Sequence, residues 1–202
     1  MTTIVYLHGF RSSPASAKAQ AMIGAVAALP AGARPRLHVP DLDAGPRAAI
    51  DSVVAWIETQ RADSLARGTL AFVGSSLGGY YATHLAERYA ARAVLINPAV
   101  RPYDDLADYV GLQTNLYTGR VFEVTPAYFD ELHALDVAHF ADPTRYLLYL
   151  QSGDEVLDWR IAAARYAGAW QCVEGGGDHS FVDFERHLPT ILRFVEHGMA
   201  AG

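Results

Sequence analysis

Short apolar runs alternate with helical patterns along the chain. Six runs rich in aliphatic and aromatic side chains are typical of buried strands. They are Thr3–Leu7, Arg36–Val39, the run that starts at Leu70, Ala93–Ile96, Arg145–Leu150 and Trp170–Val173. Because helical patterns separate these runs, we expect an α/β fold, with about six strands in a mainly parallel sheet and helices on both faces. Ligands of such sheets bind beyond the carboxyl ends of the strands.

Helical periodicity accounts for most of the intervals between these runs. Ser13 as N-cap and Pro14 at the first helical position predict the start of one helix. Its inward face comprises Ala19, Met22, Ile23, Val26 and Leu29. A second helix follows Gly45-Pro46, and Gly68 ends that region; its apolar positions are Ile50, Val53, Val54 and Ile57. Later helices are predicted over Leu77–Arg88, from about Asp158, and in a closing segment whose inward residues are Phe184, Leu188, Ile191, Leu192 and Val195.

Residues 98–145 interrupt this alternation, because no clear strand pattern occurs there. The segment contains four prolines and several tyrosines, with short helical patterns at Asp104–Val110 and Pro126–Leu135. A structureless loop of that length is uncommon inside a compact domain. We therefore expect a partly helical lid or cap, inserted within one domain that spans residues 1–202.

Composition and charge narrow the possible functions. The chain has 202 residues, 51% of them apolar and 19% charged, as in ordinary globular proteins. Its net charge is −6, and fifteen arginines and the single lysine, Lys18, form no dense basic run, which argues against nucleic-acid binding. There is no signal-peptide pattern or apolar run long enough to span a membrane, so we expect a cytoplasmic protein. Cys172, the single cysteine, excludes an intrachain disulfide and is expected to be a buried structural thiol.

The turn after the third predicted strand carries the strongest chemical signal. Gly74-x-Ser76-x-Gly78 has the spacing of a nucleophile elbow, in which a serine lies at a sharp strand-to-helix turn. The elbow also places the backbone N–H of Leu77 where it could stabilise an oxyanion. The alternative is a small-residue loop that only packs the strand against the helix. The strand before the motif and the helix after it favour the elbow, with Ser76 rather than Ser75 as nucleophile.

A serine nucleophile needs a base, and His179 is the best of the eight histidines. It follows the last strand in a glycine-rich loop that can turn back over the sheet edge. His84 lies on the helix after the elbow and is expected to point away, while His187 and His197 are expected to be solvated. His8 also follows a strand and is the main competitor, although its position suits shaping the first loop.

The acid that orients the histidine should follow a strand between Ser76 and His179. Asp154 lies just beyond the fifth strand and is the best candidate, with Glu155 and Asp158 as alternatives; Asp158 also suits a helix N-cap. The acid-rich stretch has no spacing that resembles a metal-ligand set, so we expect no metal.

A second oxyanion donor should come from the loop after the first strand. Phe10 follows His8-Gly9 there, and its backbone N–H could donate while its ring packs in the core. Nucleophile, acid and base thus follow strand ends in the order Ser, Asp, His. This agreement predicts a serine hydrolase.

These residues resemble the α/β-hydrolase superfamily and, more narrowly, the small bacterial YqiA-like esterases. The motifs that carry the resemblance are Tyr6-Leu7-His8-Gly9-Phe10, Ser12-Ser13-Pro14, Gly74-Ser75-Ser76-Leu77-Gly78-Gly79-Tyr80-Tyr81-Ala82, Asn97-Pro98-Ala99-Val100-Arg101-Pro102, Gly153-Asp154-Glu155-Val156-Leu157-Asp158, and Glu174-Gly175-Gly176 leading to His179. The resemblance implies a cofactor-free carboxylesterase that uses Ser76, Asp154 and His179 on esters or acyl-CoA thioesters. One departure is the extra glycine, Gly177, which could shift the histidine loop.

Two further residues are candidate substrate contacts. His8 follows the first strand, and Arg101 follows the fourth; Arg101 could equally form a structural ion pair beneath the lid. The overall hypothesis is a serine esterase that acts on a small acyl ester or thioester. A non-catalytic binding protein of the same fold, or another triad hydrolase such as a peptidase or C–C hydrolase, is the alternative.

Overall fold

The computed structural model describes residues 2–42, 45–63 and 69–199. A six-stranded sheet in the order β2-β1-β3-β4-β7-β8 forms its centre, and every pair in it is parallel. Its strands are β1 (Thr3–Leu7), β2 (Arg36–His38), β3 (Leu70–Ser75), β4 (Arg92–Ile96), β7 (Tyr146–Gln151) and β8 (Trp170–Glu174). The predicted parallel α/β sheet is confirmed, and all six carboxyl ends lie along one edge.

Helices cover both faces of this sheet. They are α1 (Ala17–Ala28), α2 (Pro46–Asp63), α3 (Leu77–Tyr89), α4 (Pro102–Asp105), α5 (Pro126–Ala134), α6 (Trp159–Arg165) and α7 (Leu188–His197). α1 and α7 pack on one face, where Met22 and Phe194 are fully buried against strand residues such as Tyr6. α2, α3 and α6 pack on the other face. Covering on both sides explains why all five residues of β1 are buried.

The first helix begins later than the sequence predicts. Ser13 does not cap it: the Ser13 hydroxyl accepts a hydrogen bond from Ala15 N at 3.0 Å in a preceding turn, and the helix starts at Ala17 with Ser16 as N-cap. Ile23, predicted to face inward, is 37% exposed. The predicted end of the second helical region at Gly68 lies outside the described residues.

The 98–145 segment contains strands that the sequence analysis did not predict. Besides α4 and α5, it forms an antiparallel hairpin of β5 (Gly111–Thr114) and β6 (Val121–Val124). Each strand has only four residues and alternates between exposed positions and positions that are partly buried or, at Val124, buried, so neither resembles a fully buried strand. α5 anchors the segment to the domain, because the buried Tyr80 hydroxyl of α3 donates to the Leu132 carbonyl at 2.8 Å.

Two other features of the described chain bear on the expectations from sequence. Cys172 lies on β8 and is only partly buried, which differs from the predicted buried thiol because β8 is an edge strand of the sheet. Among the residues that the structure describes, no helix combines the length and apolar character that crossing a membrane requires.

Candidate active site

Ser76 lies between β3 and α3 with a backbone φ of 56° and ψ of −124°. A φ in this range is uncommon for a residue with a side chain and marks a sharp turn. The turn is tight: a Cβ on Gly74 would collide with the Gly78 carbonyl, and a Cβ on Gly78 would collide with the Leu7 carbonyl on β1. The two glycines therefore let β1, β3 and α3 approach closely enough to leave the Ser76 hydroxyl at the sheet edge.

The structure brings the serine, histidine and aspartate predicted from sequence into one hydrogen-bonded chain. His179 Nε2 lies 3.0 Å from Ser76 Oγ. On the other side of the ring, His179 Nδ1 lies 2.8 Å from Asp154 Oδ2 and 3.0 Å from Oδ1. The His179 side chain is 22% exposed and that of Asp154 only 1%. The reactive end of the chain thus faces solvent, while its acid end is buried.

Asp154 is the group that sets the tautomer of His179. Burial alone would raise the pKa of Asp154, but hydrogen bonds from His179 and from the Leu157 and Val156 amides outweigh it and hold the pKa below its usual value. An ionised carboxylate only accepts hydrogen bonds, so we assign the proton to His179 Nδ1. The lone pair of Nε2 then faces the Ser76 hydroxyl, as a general base requires.

The two other candidate acids have different partners. Glu155 Oε2 accepts a hydrogen bond from the backbone N–H of His179 at 3.0 Å. Asp158 caps α6, accepting from Arg160 N at 3.0 Å. Neither is hydrogen-bonded to the imidazole. Within residues 2–42, 45–63 and 69–199, no group of three or more His, Cys, Asp or Glu side chains is arranged to hold a metal ion.

Two backbone amides are available as oxyanion donors. In the described part of the chain, the N–H groups of Phe10 and Leu77 have no hydrogen-bond acceptor. Gly9 places the first loop against the elbow, since a Cβ there would lie 3.1 Å from Ser76 Cβ. The Phe10 ring packs edge-on against Tyr109 and Phe122, at centroid distances of 5.4 and 5.7 Å. The Phe10 ring therefore packs in the core while the Phe10 backbone N–H stays available to a ligand.

Two clefts of different character meet at Ser76 and His179. One has a volume of about 190 Å³ and is mostly apolar; its lining includes Ala99, Pro102, Leu106, Tyr109, Val156 and Leu157. The other, about 200 Å³, combines the apolar side chains of Phe10 and Leu116 with several serine and tyrosine hydroxyls and with Lys18. Burial lowers the pKa of Lys18 to about 8, opposed by the carboxylates of Asp178 and Asp154, so its ammonium is mainly charged at neutral pH. A substrate could thus lie with different chemical groups on the two sides of Ser76.

The two candidate substrate contacts lie differently from the central residues. His8 is 3% exposed, with Nδ1 3.1 Å from the Gly9 carbonyl and Nε2 accepting from Leu42 N at 3.2 Å. Its ring therefore supports the first loop, and contact with substrate stays a prediction. Arg101 pairs with Asp104 at 3.4 Å, but both side chains are more than half exposed, so this ion pair lies on the surface instead of beneath a lid.

Sequence reasoning missed two buried residues that hold the histidine loop. Asn97 follows β4 and Gln151 ends β7, and both are hydrogen-bonded to the backbone around His179. The available signal was an amide side chain at the carboxyl end of each of two buried apolar runs. Buried amides need partners, and the loops at this sheet edge are the nearest source of them.

Comparison with known proteins agrees with this architecture. The structure resembles a proposed hydrolase from Agrobacterium vitis S4 with a TM-score of 0.74 at 19% identity, covering 96% of this chain and 88% of that one. Est1E from Butyrivibrio proteoclasticus gives 0.67 at 15%, covering 96% and 84%. Mouse alpha/beta hydrolase domain-containing protein 10 gives 0.67 at 17%, covering 96% and 87%. At these identities the similarity is one of fold, and that fold is the α/β hydrolase.

The comparison with protein families is more specific. The model of the family described as "Uncharacterised protein family (UPF0227)" matches residues 3–196, which include the elbow, the histidine loop and every strand of the sheet. The chain therefore belongs to this YqiA-like family, UPF0227.

Proposed function

We propose that this protein is a serine hydrolase that cleaves carboxylic esters through an acyl-enzyme intermediate. The observation that carries the proposal is the chain from Ser76 through His179 to Asp154, with contacts of 3.0 and 2.8 Å. A serine hydroxyl is a weak nucleophile unless a base removes its proton, and the base must be held in the correct tautomer. These three residues meet both requirements.

The reaction follows from the position of each group. Ser76 Oγ attacks the substrate carbonyl carbon while His179 Nε2 takes its proton, and the Leu77 and Phe10 N–H groups donate to the oxyanion. The tetrahedral intermediate collapses, and protonated His179 gives the proton to the departing alcohol. Water then attacks the acyl-serine with His179 again as base, which releases the carboxylic acid and regenerates Ser76. No cofactor takes part in this sequence.

The clefts support a small acyl ester as the substrate class. The apolar cleft favours an aliphatic or aromatic group on one side of the scissile carbonyl, and the hydroxyls and Lys18 of the second cleft could bind polar atoms of a group on the other side. An acyl-CoA thioester would undergo the same steps with a thiol as leaving group. Est1E, one of the structures with the same fold, is described with ferulic acid bound, and a comparably small acyl group would suit a cleft of about 190 Å³.

The first test is labelling of the protein with a fluorophosphonate, mass mapping of the modified peptide, and turnover assays on short acyl esters and a long-chain acyl-CoA. We expect labelling at Ser76 and ester turnover. Ser76→Ala should lower kcat by at least about 10⁴-fold with the fold intact, since the nucleophile is lost. Ser52→Ala, which removes a hydroxyl from α2, is the matched control and should behave as wild type.

The same experiment separates the alternatives. A folded protein that neither reacts with the label nor turns over any ester would contradict the proposal and favour a binding protein that uses the clefts without chemistry. Labelling at Ser76 together with cleavage of peptides or carbon–carbon bonds, but not of esters, would place the protein among the other triad hydrolases.

A further inference from the structure

The loop that carries His179 lies beyond β8, where strand pairing no longer satisfies its backbone. Residues 178–183 bend sharply, since Phe181 has a φ of 65° and Asp183 a φ of 58°. Polar backbone groups that are removed from water need partners. Within this loop, Phe181 N donates a backbone hydrogen bond to the Asp178 carbonyl at 3.1 Å. Side chains from elsewhere in the fold satisfy most of the remaining groups.

Asn97 supplies the first set of bonds. Its amide nitrogen donates to the Asp178 carbonyl at 3.0 Å and to the His179 carbonyl at 3.4 Å. Its amide oxygen accepts from Gln151 N at 3.0 Å, which fixes the orientation of the amide. Asn97 is 2% exposed and has a φ of 40°, so its side chain is held between β4 and the loop.

Gln151 supplies the second set. Its amide oxygen accepts from Asp178 N at 3.2 Å and from Val182 N at 2.9 Å. Its amide nitrogen donates to the Val182 carbonyl at 2.9 Å and to Glu174 Oε2 at 3.0 Å. Both ends of the loop are therefore bonded to one side chain that is only 3% exposed.

The neighbouring backbone is shaped to admit this side chain. Gly177 has a φ of 74°, and a Cβ there would collide with the Gln151 amide. The extra glycine of the histidine loop is thus the residue that passes over Gln151. Sequence analysis anticipated that it could shift the loop, yet His179 reaches Ser76 at 3.0 Å.

From these contacts we infer that Asn97 and Gln151 are positioning residues, and that they hold the loop so that His179 Nε2 stays within reach of Ser76 Oγ. The inference rests on the proposed function of that pair. Five backbone groups of the loop depend on these two side chains, and none of the five bonds involves the imidazole. Removing one side chain leaves His179 in the chain but frees its backbone to move. A shift of about 1 Å in a catalytic group can lower the rate roughly 10²-fold.

The test compares Asn97→Ala and Gln151→Met with wild type on a short nitrophenyl ester. Methionine keeps the length of the Gln151 side chain, so this variant is expected to fold even if Asn97→Ala does not. We expect kcat to fall by about 10- to 100-fold with KM within about twofold, because the loop affects the proton transfer and not the substrate clefts.

Repeating the substitutions in a His179→Ala variant distinguishes a positioning role from a loss of stability. If Asn97 and Gln151 act through His179, then adding Asn97→Ala or Gln151→Met to His179→Ala should change the residual rate by less than about twofold. Thr83→Val is the matched control: it removes a buried hydroxyl that contacts the Gly79 carbonyl and the Tyr166 hydroxyl, away from the loop. It should lower the melting temperature and leave kcat unchanged.

Two outcomes would overturn the inference. The first is wild-type kcat in folded Asn97→Ala and Gln151→Met proteins. The second is an equal loss of rate with and without His179, which would indicate a purely structural role. A wild-type protein with no ester turnover would instead count against the proposed function, so the two failures are distinguishable.

Discussion

At Ser76 the backbone adopts a φ of 56°, a conformation that costs on the order of 1–3 kcal/mol for a residue with a side chain. The surrounding bonds hold it there. Ser76 N donates to the Ile96 carbonyl at 3.0 Å, and the Ser76 carbonyl accepts from Gly79 N and Ala99 N at 2.9 and 3.1 Å. Because β4, α3 and the chain after β4 all bond to this one residue, the hydroxyl is presented in a fixed direction before any substrate arrives.

Substitution of Asp154 tests how strongly the orientation of the His179 imidazole affects kcat. In Asp154→Asn the side-chain amide can donate to Nδ1, which would favour the tautomer with the proton on Nε2 and so remove the base. We expect kcat on a short ester to fall by about 10³- to 10⁴-fold in a protein that still folds. Asp158→Asn, which keeps the N-cap of α6, should stay within about twofold of wild type. Normal activity in Asp154→Asn would transfer the orienting role to another acid.

The lowered pKa of Asp154 also predicts a pH dependence of stability. Since its pKa is lower in the folded than in the unfolded state, ionised Asp154 stabilises the fold above its unfolded pKa of about 4. That contribution is lost as pH falls through the folded value. The difference in unfolding free energy between wild type and Asp154→Asn should therefore shrink as denaturant titrations move from neutral pH to below about pH 4. A difference that grows on acidification would contradict the assignment.

At the scale of elements, the junction of β1, β3 and α3 is a close backbone contact that positions the site. A Cβ on Gly78 would meet the Leu7 and His8 carbonyls, which are rigid backbone atoms, so Gly78→Ala must move α3 or break the elbow. We expect this variant to lose more than about 3 kcal/mol of unfolding free energy, or to fail to fold, as measured by urea denaturation.

A glycine elsewhere gives the opposite expectation and serves as the control. Gly24 lies in the middle of α1 with open space around it. Gly24→Ala should stabilise the protein by about 0.5–1 kcal/mol, because alanine is the better helix former. Equal changes in unfolding free energy for Gly78→Ala and Gly24→Ala would show that the close approach at Gly78 does not determine the stability of this junction.

Elements could be predicted from sequence where burial was complete. β1 spans Thr3–Leu7 as predicted, because both faces are covered and every position is apolar or small. α1 was placed too early, because Ser13-Pro14 forms a turn that imitates a helix start. The β5–β6 hairpin was missed, because its strands are short and half exposed, so the pattern of side chains carries little information about pairing.

The candidate site likewise contains residues whose proximity could be predicted from sequence and contacts that could not. Ser76, Asp154 and His179 follow strand ends, and the topology of a parallel sheet brings such residues to one edge, so their proximity could be predicted. The bonds of Asn97 and Gln151 depend on the path of the histidine loop in space. The same holds for Glu155, a predicted alternative to Asp154, whose contact is with the backbone of His179. The separation of these residues along the sequence does not predict which of them form hydrogen bonds with the loop.

At the scale of the whole molecule, the hairpin of the 98–145 segment is fastened to the first loop. Leu116 N donates to the Arg11 carbonyl at 2.8 Å, Arg11 Nε donates to the Thr114 carbonyl at 3.0 Å, and Asn115 Nδ2 donates to the Ser12 carbonyl at 2.6 Å. Phe122 adds its edge-on contact with Phe10. The segment expected to be a lid thus also supports a loop that we propose to hold the oxyanion.

Replacing residues 112–123 with a short Gly-Ser linker should therefore lower kcat on short, soluble esters by about tenfold or more, because one oxyanion donor becomes loosely held. Fluorophosphonate labelling at Ser76 should slow in parallel. The control is Leu112→Ser with Val121→Ser, which alters only side chains that are 75% and 58% exposed and should leave kcat unchanged. A faster enzyme after the replacement would mean that the hairpin restricts access and does not support the loop.

The distance along the chain between Ser76 and His179, 103 residues, has a consequence for the order in which reactivity arises. During synthesis the elbow is made long before its base, and the loop of His179 is fastened by Asn97, by Gln151 and by Lys18 of α1, whose Nζ donates to the Ser180 carbonyl at 2.7 Å. Under the proposed function, the Ser76 hydroxyl therefore has no base until the histidine loop has been made and the sheet is complete. A nascent or misfolded copy is then expected to be unreactive toward esters.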